Sequence, residues 1–300
     1  MKGRLKATTV LSVAALALLA TGAGAAEVTP TCMGERATIV GTDGDDTIAG
    51  TSRDDVIVAL AGNDVISAHD GDDLVCAGDG NDRIDGGDGF FDGIDGGPGD
   101  DWIDGGDAAF TFAIYDDSQG PVSADLAARK VTGDGTDTLA NVNSLIGSQY
   151  DDVLDGDGQV NLIVGGGGND NISAGGSTDL LSGDAGDDVI DGGAGRDEVS
   201  YYQSPQGVVV NLATGKAVGW GTDRLQHLED AEGSRRSDRL VRSDRLVGTA
   251  AVNRLEGGGG SDRLIGLGSN DVLTGNAGRD FADGGRGRDR CSAERRVRCP

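Results

Sequence analysis

The sequence has few aromatic residues, few positive charges and no long apolar stretch. Two tryptophans, four tyrosines and five phenylalanines among 300 residues exclude a thick, aromatic-rich core. Lysine and arginine number 25 against 51 aspartates and glutamates, and the net charge of −26 would repel the phosphates of nucleic acids and anionic membranes. The apolar run from Val10 to Ala20 is much shorter than the roughly 20 residues of a membrane span. We therefore expect no nucleic-acid partner and no transmembrane segment.

Motifs for common catalytic chemistry are also missing. The chain contains neither H-E-x-x-H, which binds a catalytic zinc ion, nor G-x-S-x-G, which presents a nucleophilic serine. Its two histidines, His69 and His227, lie far apart in the sequence, and the four cysteines lack the C-x-x-C spacing of a zinc site. The sequence thus predicts a protein that is not an enzyme.

The start of the chain has the pattern of a secretory signal peptide. Lys2, Arg4 and Lys6 precede the apolar run, and residues 23–25 (Ala-Gly-Ala) are the small residues that signal peptidase prefers. The sequence therefore predicts residues 1–25 as a signal peptide and the mature chain as an extracellular, secreted protein.

The cysteines fit the same compartment. Exported proteins meet an oxidising environment, in which cysteines form disulfides rather than reactive thiols. Four cysteines allow three pairings. Proximity along the chain favours Cys291–Cys299 and leaves Cys32–Cys76.

Glycine is abundant, and the glycines belong to a repeat. They take 54 of 300 positions, against a usual share of about 7%. Aspartate or asparagine recurs every nine residues, with one extra residue at Phe90-Phe91. The registered residues form three series: Asp46, Asp55, Asp64, Asp73, Asp82, Asp92, Asp101; then Asp152, Asn161, Asp170, Asp179, Asp188, Asp197; then Asp244, Asn253, Asp262, Asp271, Asp280, Asp289. Two residues after each stands Val, Ile or Leu, except at Ala282 and Cys291, so composition alone does not explain the pattern.

The best copies are residues 96–104, GGPGDDWID, and residues 165–173, GGGGNDNIS. They resemble the hemolysin-type (RTX) calcium-binding nonapeptide G-G-x-G-x-D-x-U-x. The resemblance implies an all-β fold, a parallel β-roll or β-helix solenoid of nonapeptides, here with two wider inserted segments. The ends of the chain are similar to those of secreted calcium-binding repeat proteins of actinobacteria.

Elementary physics favours the same fold. Six glycine-rich residues can form a tight loop, and the next three form a short strand whose middle side chain points inward. Two nonapeptides then make one coil, and coils stack about 4.8 Å apart. Each coil offers two aliphatic side chains to the interior, too few to offset a backbone entropy cost of about 1–2 kcal/mol per residue.

A hard cation can supply the missing stability. An aspartate at loop position six, together with backbone carbonyls from its own loop and the stacked loop, makes an all-oxygen site that suits Ca²⁺. We expect several Ca²⁺ ions. The candidate ligands are Asp46, Asp64, Asp73, Asp82, Asp101, Asp170, Asp179, Asp188, Asp197, Asp262, Asp271, Asp280 and Asp289. The alternative, a merely solvated acidic face, explains neither the register nor the paired glycines.

The repeat is interrupted twice, and the two interruptions match each other at an offset of 86 residues, for example at Gly135-Thr136-Asp137 and Gly221-Thr222-Asp223. We expect wider coils or hairpins there; such loops are decorative or carry a ligand site. The predicted organisation is a signal peptide at 1–25, an N-terminal cap at 26–36, nonapeptide blocks at 37–105, 147–200 and 233–292, inserts at 106–146 and 201–232, and a C-terminal cap at 293–300.

The charge is distributed unevenly. Residues 27–232 hold 42 acids and 8 bases, whereas residues 233–300 hold 9 acids and 14 arginines. Four of these arginines directly follow an aspartate: Arg239, Arg245, Arg263 and Arg290. They either neutralise the acidic repeats, which we favour, or bind an anionic cell-surface polymer or polysaccharide.

The sequence as a whole predicts a secreted calcium-binding β-roll that folds on binding calcium and has a structural, adhesive or matrix role. The alternative is a small polysaccharide-modifying enzyme, similar to a lyase or epimerase, that uses a groove beside the inserts.

Overall fold

A computed structural model describes residues 29–234 and 244–299. The predicted signal peptide and Arg239 lie outside this part of the chain. The first of two compact units contains the chain up to Ala113 and Gly135–Val142, and the second contains Ile114–Asp134 and the chain from Asn143 onwards. The described residues form strands and turns, and none of them belongs to a helix long and apolar enough to cross a membrane.

The strands of the first unit are two to five residues long. In chain order they are Thr31–Cys32, Glu35–Arg36, Ile39–Val40, Thr47–Ala49, Val56–Val58, Val65–Ser67, Leu74–Cys76, Arg83–Asp85, Phe91–Asp95, Trp102–Asp104, Phe110–Ile114 (whose last residue belongs to the second unit) and Thr136–Ala140. The first two form an antiparallel pair, and the others alternate between two parallel sheets. Ile57 pairs with Val75 in one sheet and Ile48 with Ile66 in the other, so each coil contains two nonapeptides.

The second unit repeats this arrangement. Its strands are Ser123–Asp125, Lys130–Thr132, Ser144–Ile146, Val153–Asp155, Leu162–Gly167, Asn171–Ser173, Gly176–Ser177, Leu180–Ala185, Val189–Asp191, Ala194–Gly195, Glu198–Ser200, Val209–Asn211, Lys216–Val218, Thr222–Gln226, Asp230–Glu232, Arg245–Val247, Arg254–Glu256, Gly259–Gly260, Arg263–Ile265, Val272–Thr274, Ala277–Gly278, Phe281–Asp283, Arg290–Ser292 and Arg295–Val297. Ile172 pairs with Ile190 and Leu255 with Leu273, again in parallel and one coil apart.

The core of each unit is one side chain deep. The middle residue of each repeat strand points inward, and Ile57, Ile84, Ile172 and Leu273 all have 0% of their surface exposed. Their strand neighbours are at least partly exposed in most repeats, as in Arg83–Asp85. The predicted all-β parallel solenoid with a thin aliphatic core is confirmed.

Both inserts contain an antiparallel hairpin. Ser123–Asp125 pairs with Lys130–Thr132 in the first insert, and Val209–Asn211 pairs with Lys216–Val218 in the second. Ser123–Asp125 also pairs in parallel with Val153–Asp155, so this strand of the hairpin continues a sheet of the solenoid. The block and insert boundaries given by the sequence remain predictions.

Two disulfides close the ends of the repeat region. Cys32 bonds to Cys76 in the first unit, and Cys291 bonds to Cys299 in the second. The pairing favoured by sequence proximity is therefore confirmed.

Candidate metal centres

Most repeat loops end in a registered aspartate, and Oδ1 of that residue accepts a hydrogen bond from the preceding coil. The backbone N–H of Asp64 donates to Oδ1 of Asp82 one coil later at 2.7 Å, and that of Asp170 donates to Oδ1 of Asp188 at 2.9 Å. Such bonds form continuous rows along the stacked loops. Oδ1 therefore joins consecutive coils and orients the carboxylate.

The other carboxylate oxygen, Oδ2, is buried and has no hydrogen-bond partner in thirteen of these aspartates. They are Asp64, Asp73, Asp82, Asp92, Asp101, Asp170, Asp179, Asp188, Asp197, Asp262, Asp271, Asp280 and Asp289. In all thirteen the residue is at most 3% exposed. A buried acceptor without a donor destabilises a fold by about 1–3 kcal/mol, and more if it is charged. Thirteen such oxygens at the same position of the repeat indicate that a cation binds them.

Glycine at loop position one leaves room for other oxygens beside the carboxylate. A Cβ atom placed on Gly257 would lie 2.6 Å from Oδ2 of Asp262 and 2.9 Å from the carbonyl oxygen of Gly275 in the next coil. A side chain at this position would fill the space on which a carboxylate oxygen and a carbonyl oxygen converge. Glycine holds this position in nine of the thirteen loops and alanine in the other four, those of Asp64, Asp73, Asp82 and Asp179, so the candidate site favours a small residue here.

Burial raises the pKa of several of these carboxyls, which therefore tend to hold protons when no cation is near. Desolvation first, and then the charges of Asp188, Asp152 and Asp151, raise the pKa of Asp170 to about 8. The same causes, with different neighbours, raise the pKa of Asp101 to about 7. A bound Ca²⁺ ion supplies the positive charge that keeps such carboxylates ionised.

The donor set contains oxygen only. No group of three or more His, Cys, Asp or Glu side chains in the described residues lies close enough together to hold a metal ion. An ion held here would therefore be completed by other oxygens, such as backbone carbonyl oxygens and water. Oxygen ligands in flexible geometry suit Ca²⁺, whereas Zn²⁺ prefers nitrogen and sulfur.

The structure places twelve of the thirteen predicted ligands in this arrangement. Asp46 differs, because its Oδ2 accepts hydrogen bonds from the backbone N–H of Thr42 at 2.6 Å and the Thr42 hydroxyl at 2.9 Å. Asp92, which shares the register but was not among the predicted ligands, has the arrangement. That these residues bind the metal remains a prediction.

The sequence did not predict that four acidic residues of the inserts and the C-terminal segment would continue the rows of hydrogen bonds between stacked loops. Asp137 accepts from the N–H of Asp101 at 3.0 Å and Asp223 from that of Asp188 at 3.2 Å. The carboxylates of Glu229 and Glu294 likewise accept hydrogen bonds from the backbone N–H groups of Asp197 and Asp280. The sequence contains a pattern that could have identified Asp137 and Asp223, because Gly-Thr-Asp recurs at the offset of 86 residues. These triplets are the second half of a nonapeptide loop.

Comparison with known proteins supports the assignment of these loops as calcium sites. The family described as RTX calcium-binding nonapeptide repeat (4 copies) matches residues 40–75, 131–172, 164–199, 242–268 and 256–291. These stretches cover just over half of the 300 residues, and the second includes Asp137. No curated protein matches the chain. The registered loops, the parallel solenoid and the buried oxygens agree with the match: the chain belongs to the RTX calcium-binding nonapeptide repeat family and binds several Ca²⁺ ions.

Proposed function

We propose that this chain is a secreted protein whose repeats fold when calcium binds outside the cell, and that it serves as a structural or adhesive component of the extracellular matrix. One observation carries the coupling of folding to calcium: thirteen registered carboxylates are buried with one oxygen unpartnered. Without a cation, these charges oppose the fold that buries them.

The thin core makes the coupling large. With an affinity of about 10⁻⁴ M, typical of extracellular calcium modules, one site gains about 1.4 kcal/mol at millimolar calcium. Ten such sites add about 14 kcal/mol, as much as the whole stability of an ordinary domain. At submicromolar calcium this contribution nearly vanishes. We therefore expect the chain to be largely unfolded inside the cell.

Two features that do not depend on the calcium sites support the proposed extracellular location. The two disulfides, Cys32–Cys76 and Cys291–Cys299, are bonds that persist in oxidising compartments. The signal-peptide pattern of residues 1–25 points the same way. Secretion would be tested by expressing the full chain in a Gram-positive host and determining the N-terminus of the protein in the medium.

Calcium titration followed by circular dichroism tests the coupled folding. We expect β-structure to appear with millimolar Ca²⁺ but not with equal Mg²⁺, and to vanish in chelator. Asp82→Asn should raise the calcium midpoint, because it removes the negative charge of the carboxylate that faces the ion. Asp85→Asn, which removes an exposed carboxylate three residues away, should leave the midpoint unchanged. A spectrum identical with calcium and with chelator would refute the proposal.

The adhesive role is supported by a row of cations on the second unit. Arg245, Arg263, Phe281 and Arg295 occupy the same position on successive paired strands. The guanidinium groups of Arg263 and Arg295 lie 4.6 and 5.6 Å from the centroid of the Phe281 ring, which holds them in place. An anionic polysaccharide lying along the row would meet one cationic position per coil, except at Phe281.

Retention of the full-length, calcium-loaded protein on a heparin column tests this surface. Replacing Arg245, Arg263 and Arg295 with glutamine should lower the salt concentration at elution. Arg53→Gln on the first unit should not. If the two variants elute at the same salt concentration, the proposed adhesive role of this row of arginines is refuted.

A partly buried acid beside the second insert, Glu198, favours a second candidate, a polysaccharide-modifying enzyme. Desolvation, and after it Glu232 and Asp230, raise the pKa of Glu198 to about 7. A carboxyl group that is half protonated at neutral pH can act as a general acid. Activity on polyuronates that is abolished by Glu198→Gln but retained in Arg53→Gln would support this function; absence of activity across such a panel would leave the non-enzymatic role.

A further inference from the structure

The thirteen aspartates with an unpartnered Oδ2 share a second feature, the backbone conformation at loop position two. This residue lies four positions before the aspartate (five before Asp92) and has φ between 63° and 104° in every case. The thirteen residues are Leu60, His69, Gly78, Gly87, Gly97, Gly166, Gly175, Asp184, Gly193, Gly258, Leu267, Asn276 and Gly285. We call these loops open.

The other six registered residues belong to loops of a different kind. Here the backbone N–H of position two donates to the side-chain oxygen of the registered residue at 2.5–2.9 Å. The pairs are Thr42 with Asp46, Thr51 with Asp55, Ser148 with Asp152, Asp157 with Asn161, Ser234 with Asp244 and Thr249 with Asn253. None of the six position-two residues has a positive φ. We call these loops closed.

Open and closed loops differ in the partner of one side-chain oxygen of the registered residue, which is Oδ2 in the aspartates. In a closed loop the N–H, often with a hydroxyl, supplies the positive end of a dipole to that oxygen. In an open loop the left-handed residue at position two leaves Oδ2 with no protein donor, so a cation can take its place. We infer that the conformation at position two decides which registered loops bind calcium: the thirteen open loops bind it and the six closed loops do not. This inference rests on the proposed role of the aspartates as ligands.

The distribution of closed loops follows a rule along the chain. They are the first two registered residues of each series: Asp46 and Asp55, Asp152 and Asn161, and Asp244 and Asn253. Two nonapeptides make one coil, so each series begins with one coil whose loops are completed by protein donors. The following coils of the series are the ones that need the ion.

Glycine alone does not identify an open loop. Leu60, His69, Asp184, Leu267 and Asn276 hold position two of open loops with φ between 63° and 84°, although none is a glycine. Left-handed backbone is unfavourable for such residues, most of all for a β-branched one. A threonine there should both relieve the strain and supply the donors of a closed loop.

Leu267 offers the sharpest test. Its side chain is 44% exposed, so a substitution leaves the core intact. Thr249, its counterpart one coil earlier, already closes the loop of Asn253, and Asp271 is the acid of the Leu267 loop. Leu267→Thr should therefore close an open loop, whereas Leu267→Gly should keep it open.

The readout is the number of Ca²⁺ ions per chain, measured by equilibrium dialysis and atomic emission on the full-length protein, with calorimetry for affinity. We expect Leu267→Thr to bind one ion fewer than the parent protein and Leu267→Gly to bind the same number. Equal counts for the parent and Leu267→Thr overturn the inference, and so does loss of an ion from Leu267→Gly. Should Leu267→Thr fail to fold in calcium, Asn276→Thr against Asn276→Gly repeats the comparison at Asp280.

Asp271→Asn separates this inference from the proposal on which it rests. If Asp271→Asn lowers the count and Leu267→Thr does not, the aspartates are ligands and only the role of position two is refuted. If Asp271→Asn leaves both count and affinity unchanged, the ligand assignment itself is wrong.

Discussion

Protons and calcium compete for the same carboxyl groups, so the metal-free and calcium-loaded chains should respond to pH in opposite directions. Burial raises the pKa of Asp73, Asp101, Asp188 and Asp262 to about 7 and that of Asp170 to about 8. The folded chain then binds more protons than the unfolded chain. Stability contributed by these protons is complete below pH 3.8, the unfolded value, and is lost as the pH rises through 7 and 8.

The size of the effect follows from these five groups and from four others. At pH 6 the five are mostly protonated in a folded, metal-free chain, and Asp82, Asp92, Asp179 and Asp271, whose pKa is raised to about 6, are half protonated. Loading a folded chain at pH 6 should therefore release about seven protons, whereas loading at pH 9 should release almost none. Calcium affinity should rise with pH over this range for the same reason.

Two measurements check this prediction. Circular dichroism of protein freed of metal should show more β-structure at pH 4 than at pH 8, the reverse of the order expected in millimolar calcium. Calorimetry in buffers of different ionisation enthalpy counts the protons released. Equal β-structure at both pH values in the metal-free chain, with no proton release at pH 6, would refute the competition between protons and calcium for these carboxyls.

Three further outcomes are expected. Ile172→Ala, at a fully buried core position, should lower the free energy of unfolding in calcium by about 2–5 kcal/mol, measured by denaturant titration. Cys32→Ser with Cys76→Ser opens a loop of 44 residues and should cost about 4 kcal/mol in the same assay, whereas chain-entropy reasoning is wrong if the midpoint does not move. At a calcium concentration near the folding midpoint, hydrogen exchange should find the amides of Thr42 and Thr51 more protected than the loop amides of later coils, because their acceptors need no ion. Uniform exchange would contradict the closed-loop interpretation.

The sequence predicted the fold because a nine-residue period leaves few alternatives. An inward aliphatic residue such as Ile172 or Leu273 must recur once per nonapeptide, and parallel stacking follows from pairing each with its equivalent one coil later. The inserts were located by their mutual offset, and their hairpins were one of two forms expected. The disulfide pairing followed from proximity once an oxidising compartment was assumed.

The site was predicted less completely, because the register fixes where an aspartate lies but not what its second oxygen meets. Asp46 and Asp64 are indistinguishable by register. They differ because Thr42 donates to the former, whereas Leu60, in the same place before Asp64, has φ of 84°. Leucine at a left-handed position is not predictable from local preference, because the surrounding coils impose it. Asp92 was obscured by the extra residue at Phe90-Phe91, although the backbone N–H of Asp73 still reaches its Oδ1 at 3.0 Å.

Strain and buried charge coincide in the open loops, and this coincidence explains why folding should depend on calcium. A left-handed residue such as Leu267 costs about 1–2 kcal/mol, and the aspartate that follows it carries a buried oxygen with no donor. Neither cost arises in a closed loop such as that of Thr42, where the backbone supplies the donor. Each series therefore starts on a coil whose registered side chains have protein donors and continues through coils whose Oδ2 atoms need the ion. Calcium then controls the later coils of each series while the first coil provides the edge on which they stack.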